Sequence, residues 1–395
     1  MSDPIATLAT EVARDGRMHA TLTPVAQGSL AGATVCFSLL SPVALNDGAA
    51  LTRSEGGYAE ITLPDTLTPG ASARWSMSYA FERHGPLNIT WGPMGAYLRL
   101  PDGQLGDIST QPMTFPHVIA KQHPVVEPDT DTGLGLIPEP QHWAPDQGLL
   151  AASHGFALAP DAPFAEVTTQ VEALAGRTGL LPFLRQNGIP LPITLDTSRP
   201  DEGYRLTISP QKVEIAAASA NGARYGAISL LLLARLHPNG IPCGTITDAP
   251  RFAWRGQHLD CARHFFRPET IARLLDLMAL FKLNRLHWHF NDDEAFRLEV
   301  TCHPDIWQRS AFRGEGLDIP GVFGGGKGPT GGSYSLDDAR ELISHGQALG
   351  IEIMPEIEVP AHALALARIK PGLRDPNDTG QETSVQGYAR NSINP

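Results

Sequence analysis

Apolar and polar positions alternate differently in each third of the chain. Up to about residue 115, short apolar or alternating runs (33–39, 59–63, 74–80, 87–91 and 96–100) are separated by Pro, Gly, Asn and Asp. Successive strand side chains face opposite ways, so this spacing predicts a β-sandwich over residues 1–115. Trp75 and Trp91 are expected in its core rather than on its surface, where they would stack on sugar rings. Residues 116–133, rich in Pro, Asp and Thr, read as a linker. Over 134–250 a strand at 193–195, a hairpin of 204–209 against 213–217 and a helix at 221–236 predict a small α+β domain.

From residue 251 the pattern changes again. Strand-like runs at 256–261, 284–290 and 351–357 alternate with helical stretches. In the first helix Ile271, Leu274, Leu275, Met278 and Phe281 fall on one face, and Pro268 suits its first turn, where an N–H has no partner. The second opens on Ser335-Leu-Asp-Asp338, a capping pattern. Its apolar face is Ala339, Leu342, Ile343 and Leu349, and Gly350 stands where a left-handed cap is wanted. Each run ends in charged or ring-bearing residues: Asp292, Asp293 and Glu294 after one, Glu356, Glu358 and His362 after the next. A parallel α/β domain with its site at the carboxyl edge of the sheet is the expectation.

Composition narrows the function classes. A net charge of −12 with no Lys/Arg cluster argues against a nucleic-acid partner. The longest apolar run, 227–234, is too short to span a bilayer, so no membrane role is expected. The first residues lack a basic start followed by an apolar block, so no secretion signal is read and a cytoplasmic location is expected. Cys36, Cys243, Cys261 and Cys302 have no ligand-like spacing and are expected as buried free thiols. His287 and His289 lie two apart on one strand face. Two imidazoles leave a zinc site short of ligands, so packing is the favoured reading and neither metal nor cofactor is expected.

Four stretches carry a resemblance: Asp248-Ala-Pro-Arg-Phe-Ala-Trp-Arg-Gly256, Leu259-Asp-Cys-Ala-Arg-His-Phe-Phe266, Lys282-Leu-Asn-Arg-Leu-His-Trp-His-Phe-Asn-Asp-Asp293, and Met354-Pro-Glu-Ile-Glu-Val-Pro-Ala-His362. In that order and spacing, over about residues 134–362, the chain resembles the β-N-acetylhexosaminidases of glycoside hydrolase family 20. The resemblance implies a multidomain α+β and α/β protein: an N-terminal β-sandwich, a small α+β domain, and over 251–395 the first part of a (β/α)8 TIM barrel. It also implies hydrolysis of oligosaccharides or glycosides with terminal β-linked GlcNAc or GalNAc, with retention and without a protein nucleophile. The 2-acetamido oxygen of the substrate attacks instead.

Carried over by position, Arg263 matches the arginine that holds hydroxyls of the terminal sugar. Asp292 and His362 match the pair that supports the catalytic Glu, the Asp orienting the His. Asp260, Asp293 and Glu356 lie beside them as supporting groups. Without the resemblance, Arg263 reads equally well as a structural ion pair with Asp260, and Asp292-Asp293-Glu294 as a solvated loop. Glu294, Ala295 and Phe296 stand where the family more often has Gln, Gly and Trp, and Ala361 replaces its usual Gly.

One part of the family's machinery is not found. The 144 residues from Phe252 onward hold three strands, whereas a whole barrel takes at least about 200 residues. The catalytic Asp-Glu pair belongs on a later strand. The only Asp-Glu dipeptides are Asp201-Glu202 and Asp293-Glu294, neither in that place. The expectation is the N-terminal part of such an enzyme, inactive alone. The alternative is a non-catalytic remnant or an amino-sugar-binding protein.

Overall fold

In the computed structural model, residues 3–79, 88–117, 133–378, 382–385, 387 and 390–394 are described. Most of the expected linker at 116–133 lies outside them, as do Ala80 and Leu87 at the ends of two expected strands.

Nine strands come first: β1 (Ala6–Val12), β2 (Met18–Pro24), β3 (Thr34–Ser38), β4 (Val43–Asp47), β5 (Ala50–Glu55), β6 (Tyr58–Thr62), β7 (Ala73–Tyr79), β8 (Met94–Arg99) and β9 (Leu105–Thr110). They bond in the order β4-β7-β2-β1-β9-β8-β3-β6-β5, and only β1 with β9 runs parallel. Leu8, Leu22 and Met77 from one half of that order share a core with Val35, Ile61 and Leu98 from the other. The sheet therefore folds over onto itself. Trp75 is buried in this core and Trp91 packs against it. The stretch expected as a strand at 87–91 is instead a 3-10 turn, Ile89–Trp91, where the Asn88 side chain accepts from the Thr90 N–H. A side-chain bond of this kind competes with a sheet ladder.

The second sheet has the order β10-β15-β13-β14-β12-β11, from β10 (His142–Leu150), β11 (Phe156–Pro160), β12 (Ile189–Leu195), β13 (Tyr204–Ile208), β14 (Val213–Ala217) and β15 (Ile241–Asp248). Helices α1 (Ala165–Thr178) and α2 (Ala220–Leu236) pack on it. The β13–β14 hairpin and α2 match the expected elements. The apolar run at 227–234 lies in α2, and among the described residues no helix is long and apolar enough to cross a membrane.

The third sheet is parallel: β16 (Gly256–Asp260), β17 (Arg285–His289) and β18 (Glu352–Glu356), with β17 in the middle. Helices α3 (Pro268–Leu280), α4 (Pro304–Ser310), α5 (Leu336–Ala348) and α6 (Leu364–Ile369) complete this part. Ile271, Leu275 and Met278 of α3, with Leu342 of α5, cover Leu286 and Trp288 of β17. Phe281, expected on that face, is 46% exposed because α3 ends at it, and Ile343 of α5 is also exposed. The Ser335 capping box forms with Asp338. Gly350 has φ +72, a left-handed conformation that favours glycine, and a Cβ there would crowd the Asn221 side chain at 2.4 Å.

Ion pairs, the first of them nearly buried, fasten the second sheet and its helices to the third. Lys282, left-handed at φ 58, sends its Nζ to Asp248 at 2.8 Å and to the Tyr204 hydroxyl at 3.0 Å. Arg255 meets Glu202 at 3.0 Å, and Arg177 of α1 meets Asp276 of α3 at 2.9 Å. Cys36, Cys243 and Cys261 are buried. Cys302, expected buried, is exposed in the loop before α4.

Candidate active site

Strand register builds the site. Asp260, His289 and Glu356 stand level across the carboxyl end of β16, β17 and β18, and His258, His287 and Met354 stand level two residues earlier. Side chains two apart share a face, so one face of the sheet is polar. The other, with Leu286 and Trp288, lies under α3 and α5.

Just past β17 the chain folds back in a two-residue ladder, Asn291–Asp292 against Ala295–Phe296. It buries Asp292, Asp293 and Glu294. The sequence allowed a solvated loop there. Three buried carboxylates need compensation, and Arg263 supplies much of it: Nη2 lies 2.6 Å from Asp292 Oδ2, Nη1 is 3.0 Å from Asp260 Oδ2, and Nε is 3.3 Å from Glu294 Oε2. Arg263 therefore does pair with Asp260, and with two further acids as well. About a fifth of its side chain stays open to solvent. Among the described residues neither Arg263 Nε nor Glu294 Oε2 has a well-aligned hydrogen-bond partner.

His289 links two of the acids, its Nε2 2.9 Å from Asp292 and its Nδ1 2.8 Å from Glu356. Burial disfavours its charged form, but these two carboxylates outweigh burial and raise its pKa. Glu356 also meets His287 at 2.8 Å and His258 at 3.5 Å. Its pKa is lowered, since hydrogen bonding to His289 and other neighbours outweighs the effect of burial. His258, His287 and Glu356 are near enough to share an ion. The 2.8 Å contact, however, is a hydrogen-bond length, shorter than the ~3.3 Å that separates donors around a tetrahedral zinc with bonds of ~2.0 Å.

His362, left-handed at φ 49, lies with Nδ1 3.3 Å from both Asp292 Oδ1 and Asp293 Oδ2, and its hydrogen bond is with Asp293. Asp292, expected chiefly to orient His362, lies closer to the Arg263 and His289 side chains, at 2.6 and 2.9 Å, than to His362, and it accepts from the Asp293 N–H at 2.6 Å. Asp293 also accepts from the Leu364 N–H at 3.1 Å and from Asn391 Nδ2 at 3.2 Å, and the Ser384 hydroxyl donates to it. Sequence reasoning gave no role to His289, Ser384 or Asn391. The spacing His287-x-His289 held a signal for the first. The other two lie in a tail without periodicity.

The family models that match the chain fall on this part and the one before it. The model of the glycosyl hydrolase family 20 catalytic domain matches residues 252–395, and that of the family's domain 2 matches 133–249. The chain belongs to glycoside hydrolase family 20. A β-hexosaminidase of Vibrio vulnificus is 31% identical over 287 residues, 66% of this chain and 34% of that protein. A β-hexosaminidase of Akkermansia muciniphila is 39% identical over 176 residues, 44% of this chain and 34% of its own length. The crystal structure of a family 20 exo-β-N-acetylglucosaminidase from Vibrio harveyi, in complex with N-acetylglucosamine, has a TM-score of 0.82 at 24% identity. That likeness, which covers 99% of this chain and 63% of the other, is one of fold. The chain spans about a third of the length of these two curated relatives.

Glu294 should make the stability of this part depend on pH. Burial, then the charges of Asp292 and Asp293, push its pKa up from 4.5 to about 7, against the Val385 N–H and Arg263. A carboxyl that holds its proton more tightly folded than unfolded stabilises the fold below about pH 4.5 and loses that contribution as pH rises through about 7. The difference is worth on the order of 3 kcal/mol. His289, also raised, acts in the same direction. Glu294→Gln should therefore weaken the loss of stability between pH 5 and pH 8, read as denaturation midpoints at both. Equal pH dependence in the two proteins would mean that Glu294 does not titrate there.

Proposed function

We propose that Arg263 and the acids around it form the sugar-holding part of the active site of a β-N-acetylhexosaminidase, acting on terminal β-linked GlcNAc or GalNAc. The observation that carries this reading is the partly open guanidinium of Arg263, fixed by three carboxylates past the carboxyl edge of a parallel sheet. Its planar fork suits neighbouring sugar hydroxyls. Glu294 Oε2, with no aligned donor among the described residues, offers an acceptor beside it. The three strands are read as the first of a (β/α)8 barrel, with the polar face of His258, His287, His289 and Glu356 turned inward.

On this reading the acetamido oxygen of the substrate displaces the leaving group, and water opens the oxazolinium ion with net retention. Asp292 holds Arg263, and His362 with Asp293 stands where a general acid from a later strand would be supported. That acid and the Asp that orients the acetamido group are assigned to no residue of these 395. Glu202 is already engaged by Arg255, and Asp293 and Glu294 sit in the loop after the second parallel strand.

Two measurements test this. The 395 residues by themselves should show no turnover of an aryl N-acetyl-β-glucosaminide, because a general acid alone contributes about 10²–10⁴-fold. Robust turnover would move the acid role to Asp293 or Glu294. N-acetylglucosamine should still perturb the NMR signals of the site, and Arg263→Ala should abolish that effect. If the sugar gives no perturbation at any concentration, the sugar-site reading fails.

A further inference from the structure

The first β unit reaches into the site, and the route passes through residues under strain. Ser384 and Val385 are both left-handed, at φ 42 and 43, unfavourable for any L-residue and most of all for a β-branched one. Such a conformation persists only where its surroundings hold it. On the site side, the Val385 N–H donates to Glu294 Oε1 at 2.9 Å and the Ser384 hydroxyl donates to Asp293. On the other side, Val385 is buried against Cys36, Tyr58 and Tyr97 of the β unit. The turn after β5 closes over the same segment: a Cβ on Gly56 would stand 2.8 Å from the Thr383 carbonyl oxygen, and one on Gly57 would stand 3.1 Å from Val385 Cγ1.

Ion pairs brace the contact from both flanks. Glu55, beside those glycines, pairs with Arg368 of α6. Arg99 of β8 meets Glu315, in the loop after α4, at 2.8 Å. The first pair is mostly shielded from water and the second partly so, which screens them less than fully exposed pairs.

We propose that the N-terminal β unit is a positioning element for the sugar site: its β5–β6 turn and the pocket under Tyr58 and Tyr97 hold Ser384 and Val385 in place, and these two fix Asp293 and Glu294 beside Arg263. This deepens the reading of the site as a sugar site, although the mechanical link stands without it. Glu294 faces Arg263, Arg313, Asp292 and Asp293 besides the Val385 N–H. Of these, the β unit places Asp293 through the Ser384 hydroxyl and also the Val385 N–H, and the N–H is the one that bonds Glu294 itself. Loosening it removes a donor that favours the charged carboxylate, so the proton should be held more tightly.

The experiment is a ¹³C-carboxyl NMR titration of Glu294 in the whole 395-residue chain, with the signal assigned through Glu294→Gln. Val385→Ala empties the pocket under Tyr58 and Tyr97. Glu55→Gln breaks the brace to Arg368 without touching the site. In both, the Glu294 midpoint should rise by about half a unit, a roughly threefold change in its acidity constant. Should Val385→Ala fail to fold, Glu55→Gln decides alone. Midpoints within about a tenth of a unit of wild type in every folded variant would overturn the proposal. Adding N-acetylglucosamine to the wild type in the same titration tests the sugar reading separately, since the coupling is measured without any ligand.

Discussion

Arg263→Ala is expected to lower kcat/KM for an aryl N-acetyl-β-glucosaminide by roughly 10- to 150-fold, measured in a polypeptide that joins these residues to a full barrel. Loss of a charge-assisted hydrogen bond, worth about 1.5–3 kcal/mol, sets that range. The structure adds a second cost. With the guanidinium gone, Asp260, Asp292 and Glu294 lose their shared counter-charge, and like charges so close repel one another. Arg263→Lys should recover only part of the loss, because a single ammonium cannot span three carboxylates. Asp292→Asn, which the sequence assigns mainly to the pH profile through His362, should also raise KM, since Asp292 lies 2.6 Å from Arg263. Near-wild-type kcat/KM for Arg263→Ala at every pH would return it to a structural partner of Asp260.

How much of this was legible in the sequence depended on what kind of contact made each feature. The parallel strands were visible because their apolar runs and the caps on their helices are local signals. The capping box at Ser335 and the left-handed Gly350 were found where the residue types put them. In the second sheet, β10 was missed because nearly all its residues are exposed and a bulge interrupts it after Pro145, so no alternation marks it. Helix α1 was missed although Val167, Val171 and Leu174 lie on one face.

The site divided along the same line. Arg263, Asp292 and His362 were reachable because whole motifs resembled a family. The roles of His289 and Val385 were not, because they are fixed by register and by contacts across long sequence separations. His289 joins Asp292 to Glu356 only when β17 lies between β16 and β18. Val385 meets Glu294 across 91 residues, and no periodicity announces such a pair.

Arg297 leads to the largest expected effect on stability. It is 1% exposed, and its guanidinium hydrogen-bonds to no carboxylate among the described residues. It donates to four main-chain carbonyls instead: Ala262 at 2.8 Å, Ala311 at 2.6 Å, Gly332 at 3.0 Å, and Cys261. Burial, then the neighbouring Arg313, bring its pKa down to about 10, so at neutral pH the charge persists inside a cage of dipoles. Arg297→Met keeps most of the volume and removes every donor. Buried acceptors left without partners cost about 1–3 kcal/mol each before relaxation, so a loss of at least about 3 kcal/mol is expected. In a domain of this size that corresponds to roughly 6–12 °C in Tm. Cys261 and Ala262 immediately precede Arg263, so the same change should loosen the proposed sugar site and, on that reading, reduce N-acetylglucosamine binding even where the fold survives. Arg309→Met, which removes a half-exposed pair with Asp318, is the control and should cost no more than about 1 kcal/mol. Equal, small losses for the two variants would mean that water replaces the guanidinium in its cage, and that these four carbonyls do not depend on Arg297.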